Sequence, residues 1–163
     1  MKLVLCVGIL LVAGRCIATK TDPATAQDAA DAVVAAALKR ALVEVKDLPD
    51  FNLIDGSPEI VVRSSIMSSP FSIRAQALPK VPGKTVLLLT RDEIEARATQ
   101  PGGVYFVTVD DLKSVGDDAE FTIGTSWAGP PDPPVLCCCV ETVRYARVHG
   151  EWRHQGSKGR ICS

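Results

Sequence analysis

The residues whose chemistry is easiest to interpret are the cysteines near the carboxyl end of the sequence. Cys137, Cys138 and Cys139 are consecutive, and Cys162 is the penultimate residue. If His149–Gly150 forms a two-residue hairpin turn, counting outward along both strands places Cys137 opposite Cys162. Opposite residues of an antiparallel pair bring their Cα atoms within reach of a disulfide bond. The spacing therefore predicts a Cys137–Cys162 disulfide that closes the end of a long hairpin.

The glycines of the return strand leave an alternative pairing open. Gly156 and Gly159 favour a β-bulge, and one inserted residue there would bring Cys138 opposite Cys162. Either disulfide would stabilise the domain by about 3 to 4 kcal/mol in the chain-entropy model.

The two cysteines that the predicted pairing spares admit several states. Adjacent strand residues point to opposite faces, so Cys138 and Cys139 can join each other only as a strained disulfide. Buried thiols, an intermolecular disulfide and a redox-active or copper-handling surface are the alternatives. Zinc ligands usually come as spaced pairs rather than as neighbours. The sequence therefore predicts no metal site and no cofactor.

The amino-terminal residues have the pattern of a secretory signal. Met1–Lys2 is a short positive region, Leu3–Val12 is apolar, and Cys16–Ile17–Ala18 fits the small-residue rule for cleavage. We therefore predict a signal peptide over residues 1–18 and a single exported domain over residues 19–163. Such a domain would enter an oxidising compartment, secreted or periplasmic, where cysteines form disulfides.

The same segment leaves one other processing route open. Leu11–Val12–Ala13–Gly14 would resemble a lipobox if cysteine followed directly, but Arg15 precedes Cys16. Lipid anchoring at Cys16 is thus the alternative to cleavage. The apolar run is too short for a membrane span. A formal net charge of −1, with acids and bases mixed along the chain, predicts no nucleic-acid partner.

A helix and a series of strands must position the terminal hairpin. Asp22 and Pro23 are typical of a helix start, and apolar residues at helical spacing extend the predicted helix over residues 23–46. Its alanine-rich face suits close packing on a sheet. Glu59–Arg63 then has the pattern of a short strand.

The rest of the chain is mostly strand. Lys84–Leu89 is an apolar strand, and Thr90 and Glu93 have the capping-box spacing that begins a short helix. The later strands are expected at Val104–Val109, Ala119–Trp127, Val135–Val148 and Glu151–Ile161. One long helix followed mainly by strands predicts an α+β fold, with the helix packed on a curved antiparallel sheet.

The predicted register sets three pairs on one face of the terminal hairpin: Arg147 with Trp152, Glu141 with Lys158, and Tyr145 with His154. The first is a cation–π pair worth up to about 1 kcal/mol when exposed, and the second joins opposite charges. Tyr145, Trp152 and His154 are the pocket candidates, because they would line a cavity if that face of the sheet is concave. Asp110–Asp111 and Asp117–Asp118 lie at strand ends, where aspartate favours turns.

Two segments of the carboxyl-terminal part resemble a known family. Asp117-Asp118-Ala119-Glu120-Phe121 is an acidic turn that enters an apolar strand, and Tyr145 to Trp152 places aromatic and basic residues around a second turn. In this combination the tail is similar to the end of nuclear transport factor 2-like domains. The resemblance implies a cone-shaped α+β fold with a pocket.

Three functions are compatible with these features. The leading one is a small exported, non-enzymatic binding module for an unknown small molecule or protein. The rival, which the resemblance implies, is a dehydratase- or isomerase-like enzyme in which an aspartate and His154 act inside the cone. The third is a cysteine-based redox or metal-handling protein that uses Cys138 and Cys139. No nucleophile–base arrangement can be assembled from the sequence, so we assign no catalytic residue.

Overall fold

The structure is a computed structural model that describes residues 22–99, 102–130 and 138–162. The predicted signal peptide, Cys16 and Cys137 lie outside the described residues. None of the helices in the described part of the chain combines the length and hydropathy needed to cross a bilayer.

The amino-terminal helix begins where the sequence predicts it. Helix α1 spans Pro23–Lys39, and the Asp22 carboxylate accepts a hydrogen bond of 3.0 Å from the Ala24 N–H. Proline occupies the first turn, where its missing N–H has no intrahelical partner to lose. The cap residue and the proline together fix the start of the helix.

The end of this helix differs from the prediction. Instead of regular α-helix to residue 46, the chain forms a π-helical turn over Arg40–Glu44, in which the Val45 N–H donates to the Arg40 carbonyl at 2.9 Å. Lys46 then takes a positive φ of 56°, which ends the helix. Wide turns of this kind often occur at functional sites, so Arg40–Glu44 is a candidate part of such a site.

Two shorter helices follow. Helix α2 spans Asn52–Asp55, and helix α3 spans Arg91–Ala98. The predicted capping box is confirmed at α3, because the Thr90 N–H donates to the Glu93 carboxylate at 2.7 Å and the Glu93 N–H donates back to the Thr90 hydroxyl at 3.3 Å.

The strands span Glu59–Arg63 (β1), Thr85–Leu89 (β2), Val104–Val115 (β3), Asp118–Ala128 (β4), Cys139–Val148 (β5) and Glu151–Cys162 (β6). They form one sheet in the order β2-β1-β3-β4-β5-β6. Strand β1 is parallel to both β2 and β3, whereas the later neighbours are antiparallel. The α+β class is confirmed, and the sheet is mixed rather than antiparallel as predicted.

The connection between β1 and β2 explains the parallel edge. Residues 64–84, which include a short 3-10 helix at Ala75–Ala77, carry the chain back to the end of the sheet where β1 began. Ile60, Val61 and Val62 are buried in succession. Such continuous burial is typical of parallel strands that are covered on both faces.

The core is divided between the two faces of the sheet. On one face, α1 and the π-helical turn contribute residues such as Val33, Leu38 and Leu42. These residues share a core with Ile60, Val62, Val107, Phe121 and Tyr145 of the sheet. On the other face, Val61, Ile94 and Phe106 form a small cluster with α3. Strands β5 and β6, by contrast, carry exposed side chains such as Arg144 and Arg153 on the face away from α1.

The β5–β6 pair has the predicted register only near its turn. The four pairs from Val148–Glu151 to Tyr145–His154 are those that counting from His149–Gly150 places together. Beyond them, the register shifts between Arg144 and Tyr145 and again between Thr142 and Val143, each time with an extra residue in β6.

The two bulges change the disulfide. Cys162 lies opposite Cys139, the two Cα atoms are 4.1 Å apart, and these residues form the disulfide. The predicted Cys137–Cys162 bond is therefore wrong. The prediction weighed one inserted residue, which would have brought Cys138 into place, and β6 contains two.

The bulges also exchange ion-pair partners. The predicted partner of Glu141 was Lys158, but the residue opposite Glu141 is Arg160. Lys158 instead forms a salt bridge with Glu120 on β4. The extra residues thus direct a β6 side chain across β5 to the next strand.

Candidate functional site

The turn of the terminal hairpin is built from two residues with positive φ. His149 has a φ of 53° and Gly150 a φ of 83°. Two central residues in this region give the turn a twist that matches the strands on either side. His149 is exposed at the tip and acts as a turn residue, as its place beside glycine predicts.

The three pocket candidates lie on the face of the sheet that α1 covers. Tyr145 and Trp152 are buried, with 4% and 9% of their surfaces exposed, and His154 is half-buried. The Tyr145 ring stacks on Phe121 with ring centres 5.5 Å apart and meets the edge of His154 at 5.4 Å. The Arg147 guanidinium lies 5.0 Å from the Trp152 ring centre, so the predicted cation–π contact is present.

Two of the three candidates share a cavity. A void of about 20 Å³ lies between the π-helical turn and the hairpin. Its polar lining comes from Arg40, Asp47, Glu141, Tyr145 and His154. Only part of this set was predicted, since Arg40 and Asp47 reach the hairpin through the π-helical turn and the loop after it.

The electrostatics keep these groups in defined proton states. Burial raises the pKa of Tyr145 to about 12, so its hydroxyl remains a hydrogen-bond donor at neutral pH. Burial, assisted by the charge of Arg40, lowers the pKa of His154, so its imidazole is neutral there. Arg40 pairs with Asp47 through Nη2 at 2.7 Å, while its buried Nη1 has no partner in the described part of the chain.

The cavity can hold one oxygen atom rather than a whole substrate. Its volume is about that of a single water, which needs roughly 10–15 Å³ on this measure. Arg40 Nη1 and the Tyr145 hydroxyl offer donors, and Glu141 offers an acceptor. The arrangement suits a bound water or one oxygen of a ligand.

A larger hollow lies on the opposite face of the same strands. This outer groove has a volume of about 620 Å³ and is lined by Lys113, Val115, Asp118, Ala119, Glu120, Arg144, Tyr145, Ala146 and Gln155. Glu120 is held by Lys158, whose hydrogen bond lowers the pKa of that carboxyl. Lys113 and Arg144 form no ion pair with any residue in the described part of the chain.

The sequence contained a weak signal for the outer groove. Arg144 alternates along β5 with the buried residues Val143 and Tyr145, as a residue on the opposite face must. The strand pattern thus places a cation on the outer face. It does not show that Lys113 comes close, because that depends on the pairing of β3 with β4.

The acidic pairs have structural partners. Asp110 forms a salt bridge with Arg63 and accepts a hydrogen bond from the Met67 N–H at 2.9 Å, while Asp111 takes a positive φ at a β3 bulge. Asp117 accepts from the Arg147 N–H at 2.7 Å through its backbone carbonyl. No cluster suited to a metal ion occurs among the residues described.

The cysteines of the described residues are all oxidised. Cys139 and Cys162 form the disulfide of the hairpin, and Cys138, which is buried, is also disulfide-bonded. The Cys139 N–H donates to the Asp50 carboxylate at 2.6 Å, so the start of β5 is fixed by a hydrogen bond as well. In this state neither Cys138 nor Cys139 offers a free thiolate as a metal ligand.

Comparison with known proteins identifies no relative: no protein-family model, curated protein or solved structure matches the sequence. The similarity of the tail to nuclear transport factor 2-like domains therefore stays a prediction.

Proposed function

We propose that the protein is a small exported, non-enzymatic binding module that contacts its ligand through the outer groove. The observation that carries the proposal is the contrast in size between the two hollows. The cavity under α1 has a volume of about 20 Å³, whereas the outer groove has about 620 Å³. Ligand sites in proteins usually occupy about 300–1,000 Å³, so of these two hollows the groove is the one large enough.

The charges of the groove favour an anionic group on the ligand. Lys113 and Arg144 form no salt bridge among the described residues, and Lys158 pairs with Glu120, so these three cations outnumber the two carboxylates of the groove, Asp118 and Glu120. Val115 and Ala146 supply a small apolar surface beside them. The proposed ligand is therefore a carboxylate-bearing small molecule or an acidic segment of a partner protein.

Export and sheet shape belong to the same proposal. The Cys139–Cys162 disulfide supports an oxidising compartment, as does the signal pattern of residues 1–18. Bulges in β3 and β6 support a curved sheet of the nuclear transport factor 2-like kind, because a bulge bends its strand.

An NMR titration tests the groove. With the mature chain, hexaglutamate should shift the backbone amide signals of Lys113 and Arg144, and hexalysine should not. Arg144→Gln should weaken the hexaglutamate shifts at least threefold. Arg153→Gln is the matched control, since Arg153 lies outside the groove and pairs with Glu151. Equal shifts with both peptides, shifts outside the groove or no shifts at all would refute the anion-binding role.

A second candidate function has one observation in its favour. His154, Glu141 and Asp47 line the same cavity, which is the convergence that a dehydratase- or isomerase-like mechanism requires. Formate, the smallest carboxylate, should then shift the His154 imidazole signals, and Arg40→Gln should abolish the shift while Arg153→Gln retains it. If formate leaves His154 unchanged, the cavity does not admit substrate groups and this candidate fails.

A further inference from the structure

Strand β2 is an outer strand whose free edge faces away from the sheet. The Thr85 N–H donates to the Pro58 carbonyl at 2.9 Å, and the Leu89 carbonyl accepts from the Ser64 N–H at 2.8 Å. Both bonds are on the β1 side. Backbone groups alternate in direction along a strand, so the N–H and C=O groups of Val86 and Leu88 point outward. No residue in the described part of the chain bonds to them.

This edge lacks the features that usually protect an outer strand. Thr85–Leu89 contains no charge, no proline and no bulge. Proteins commonly prevent edge-to-edge pairing with lysine, proline or bulges. The nearest charges are already compensated, since Lys84 lies 3.7 Å from Asp55 and Arg91 lies 2.7 Å from Glu95.

We propose that β2 pairs with β2 of a second copy of this chain, antiparallel and about a twofold axis at Leu87. In this register Leu87 faces its own symmetry mate and Val86 faces Leu88 of the other copy. The outward groups of Val86 and Leu88 then exchange two hydrogen bonds in each pair. The outward N–H and C=O groups of each β2 strand therefore all bond to the β2 strand of the second copy in this one register.

The side chains and charges favour this occupant. Leu87 is half-buried and belongs to neither core cluster, so a second leucine would cover it. Pairing of β6 with its own copy would instead bring Arg153, Lys158 and Arg160 together across two bulges. A twofold β2 pair closes on itself, as most homo-oligomers do.

The dimer should be weak. Strand pairing over five residues buries less than the roughly 1,000 Å² expected of a stable interface. The pair should therefore form at high protein concentration and dissociate on dilution. Strand β2 lies at the opposite edge of the sheet from β6 and contributes no residue to the outer groove.

Cysteine cross-linking tests the register. Leu87→Cys places two cysteines opposite each other at the axis, at a Cα separation of about 4.5 Å, so mild oxidation should give a covalent dimer on a non-reducing gel. Val86→Cys alone and Leu88→Cys alone should stay monomeric, because each faces a different residue. A mixture of these two variants should give the covalent dimer again.

Other patterns of cross-linking would overturn the proposal. If all three single variants cross-link equally, the dimers arise from random collision, and if Leu87→Cys does not cross-link, the edges do not pair.

Sedimentation of variants without added cysteines gives an independent readout. Leu87→Lys should reduce dimer formation at least tenfold, since like charges would meet at the axis. Ile161→Lys, a matched change on exposed β6, should leave it unchanged; the opposite result would place the contact on β6.

Discussion

The two edges of the sheet are built in opposite ways. Strand β6 has twelve residues, two bulges, several basic side chains and a disulfide at its end. Strand β2 has five residues, no bulge and no charge. Both are outer strands of one sheet, so each has one edge whose backbone N–H and C=O groups could pair with another chain. Strand β6 therefore has the features that prevent edge-to-edge pairing, and β2 lacks them.

This difference shows how the chain separates stability from association. At β6, the bulges use two extra residues to bring Cys162 opposite Cys139 and to direct Lys158 toward Glu120. These contacts are made within one chain. At β2, the outward groups of Val86 and Leu88 remain without a partner among the described residues, and the dimer that we propose would use them.

Removal of the disulfide should have the largest effect on the protected edge. Cys139→Ala and Cys162→Ala should each lower the free energy of unfolding by about 3 kcal/mol, because the bond closes a loop with a sequence separation of 23 residues. The double variant should be no less stable than the worse single variant, within about 0.5 kcal/mol. Urea unfolding of the oxidised proteins measures all three.

The same variants test the pairing itself. Peptide mapping of Cys139→Ala should find Cys162 unlinked. Peptide mapping of the wild-type chain should find Cys162 linked to Cys139. A link from Cys162 to Cys137 or Cys138 in that chain would show that the two-bulge register is wrong.

A close approach between β4 and β5 should give the next largest effect. A Cβ atom added at Gly124 would lie 2.6 Å from the Val140 Cα, so Gly124→Ala should destabilise the domain by about 1–3 kcal/mol. Gly159 on β6 has nothing within 4 Å of such an atom. Gly159→Ala is therefore the matched control and should be neutral, or stabilising by up to about 1 kcal/mol. Equal losses at the two positions would contradict the different packing of the interior and the edge.

The cation–π contact near the turn should contribute less. Arg147→Gln removes the guanidinium that lies over Trp152 and should cost up to about 1 kcal/mol. Arg144→Gln, an exposed arginine with no ion pair or ring contact in the described part of the chain, should change stability by less than about 0.5 kcal/mol. Thermal unfolding distinguishes the two, and an equal loss for both variants would argue against the contact.

The pH dependence of stability should be the smallest of these effects. The pKa of His154 is lowered by burial in the folded state, so the unfolded chain binds the proton more tightly. Stability is unaffected above the unfolded pKa, near 6.5, and decreases as the pH falls below it. His154→Gln should remove this decrease, whereas His149→Gln at the exposed turn should retain it. A decrease that survives in His154→Gln would assign it to another group.

Local sequence signals predict most of the helices and strands. They do not predict how distant strands pair. The Asp22 cap, the Thr90–Glu93 capping box and the pairs nearest His149–Gly150 depend on residues a few positions apart, and each follows from sequence. The parallel pairing of β1 depends on how residues 64–84 return along the sheet, which no local pattern records.

The candidate site, too, was predicted only in its local part. Tyr145 and His154 were placed together by counting from the turn. Arg40 was missed because it reaches them only through the π-helical turn at Arg40–Glu44, where a regular helix was predicted. The glycines of β6 predict a bulge with one inserted residue, yet the number of bulges depends on the fit of the whole strand to β5.

Amide hydrogen exchange at low and high protein concentration tests most directly the claim that one edge is protected and the other open. In the mature, oxidised chain, exchange at the outward amides of Val86 and Leu88 should slow at high concentration, while the outward amides of Trp152 and His154 on β6 should exchange at the same rate in both samples. Slower exchange confined to β6 at high concentration, or no dependence on concentration at either edge, would contradict this account.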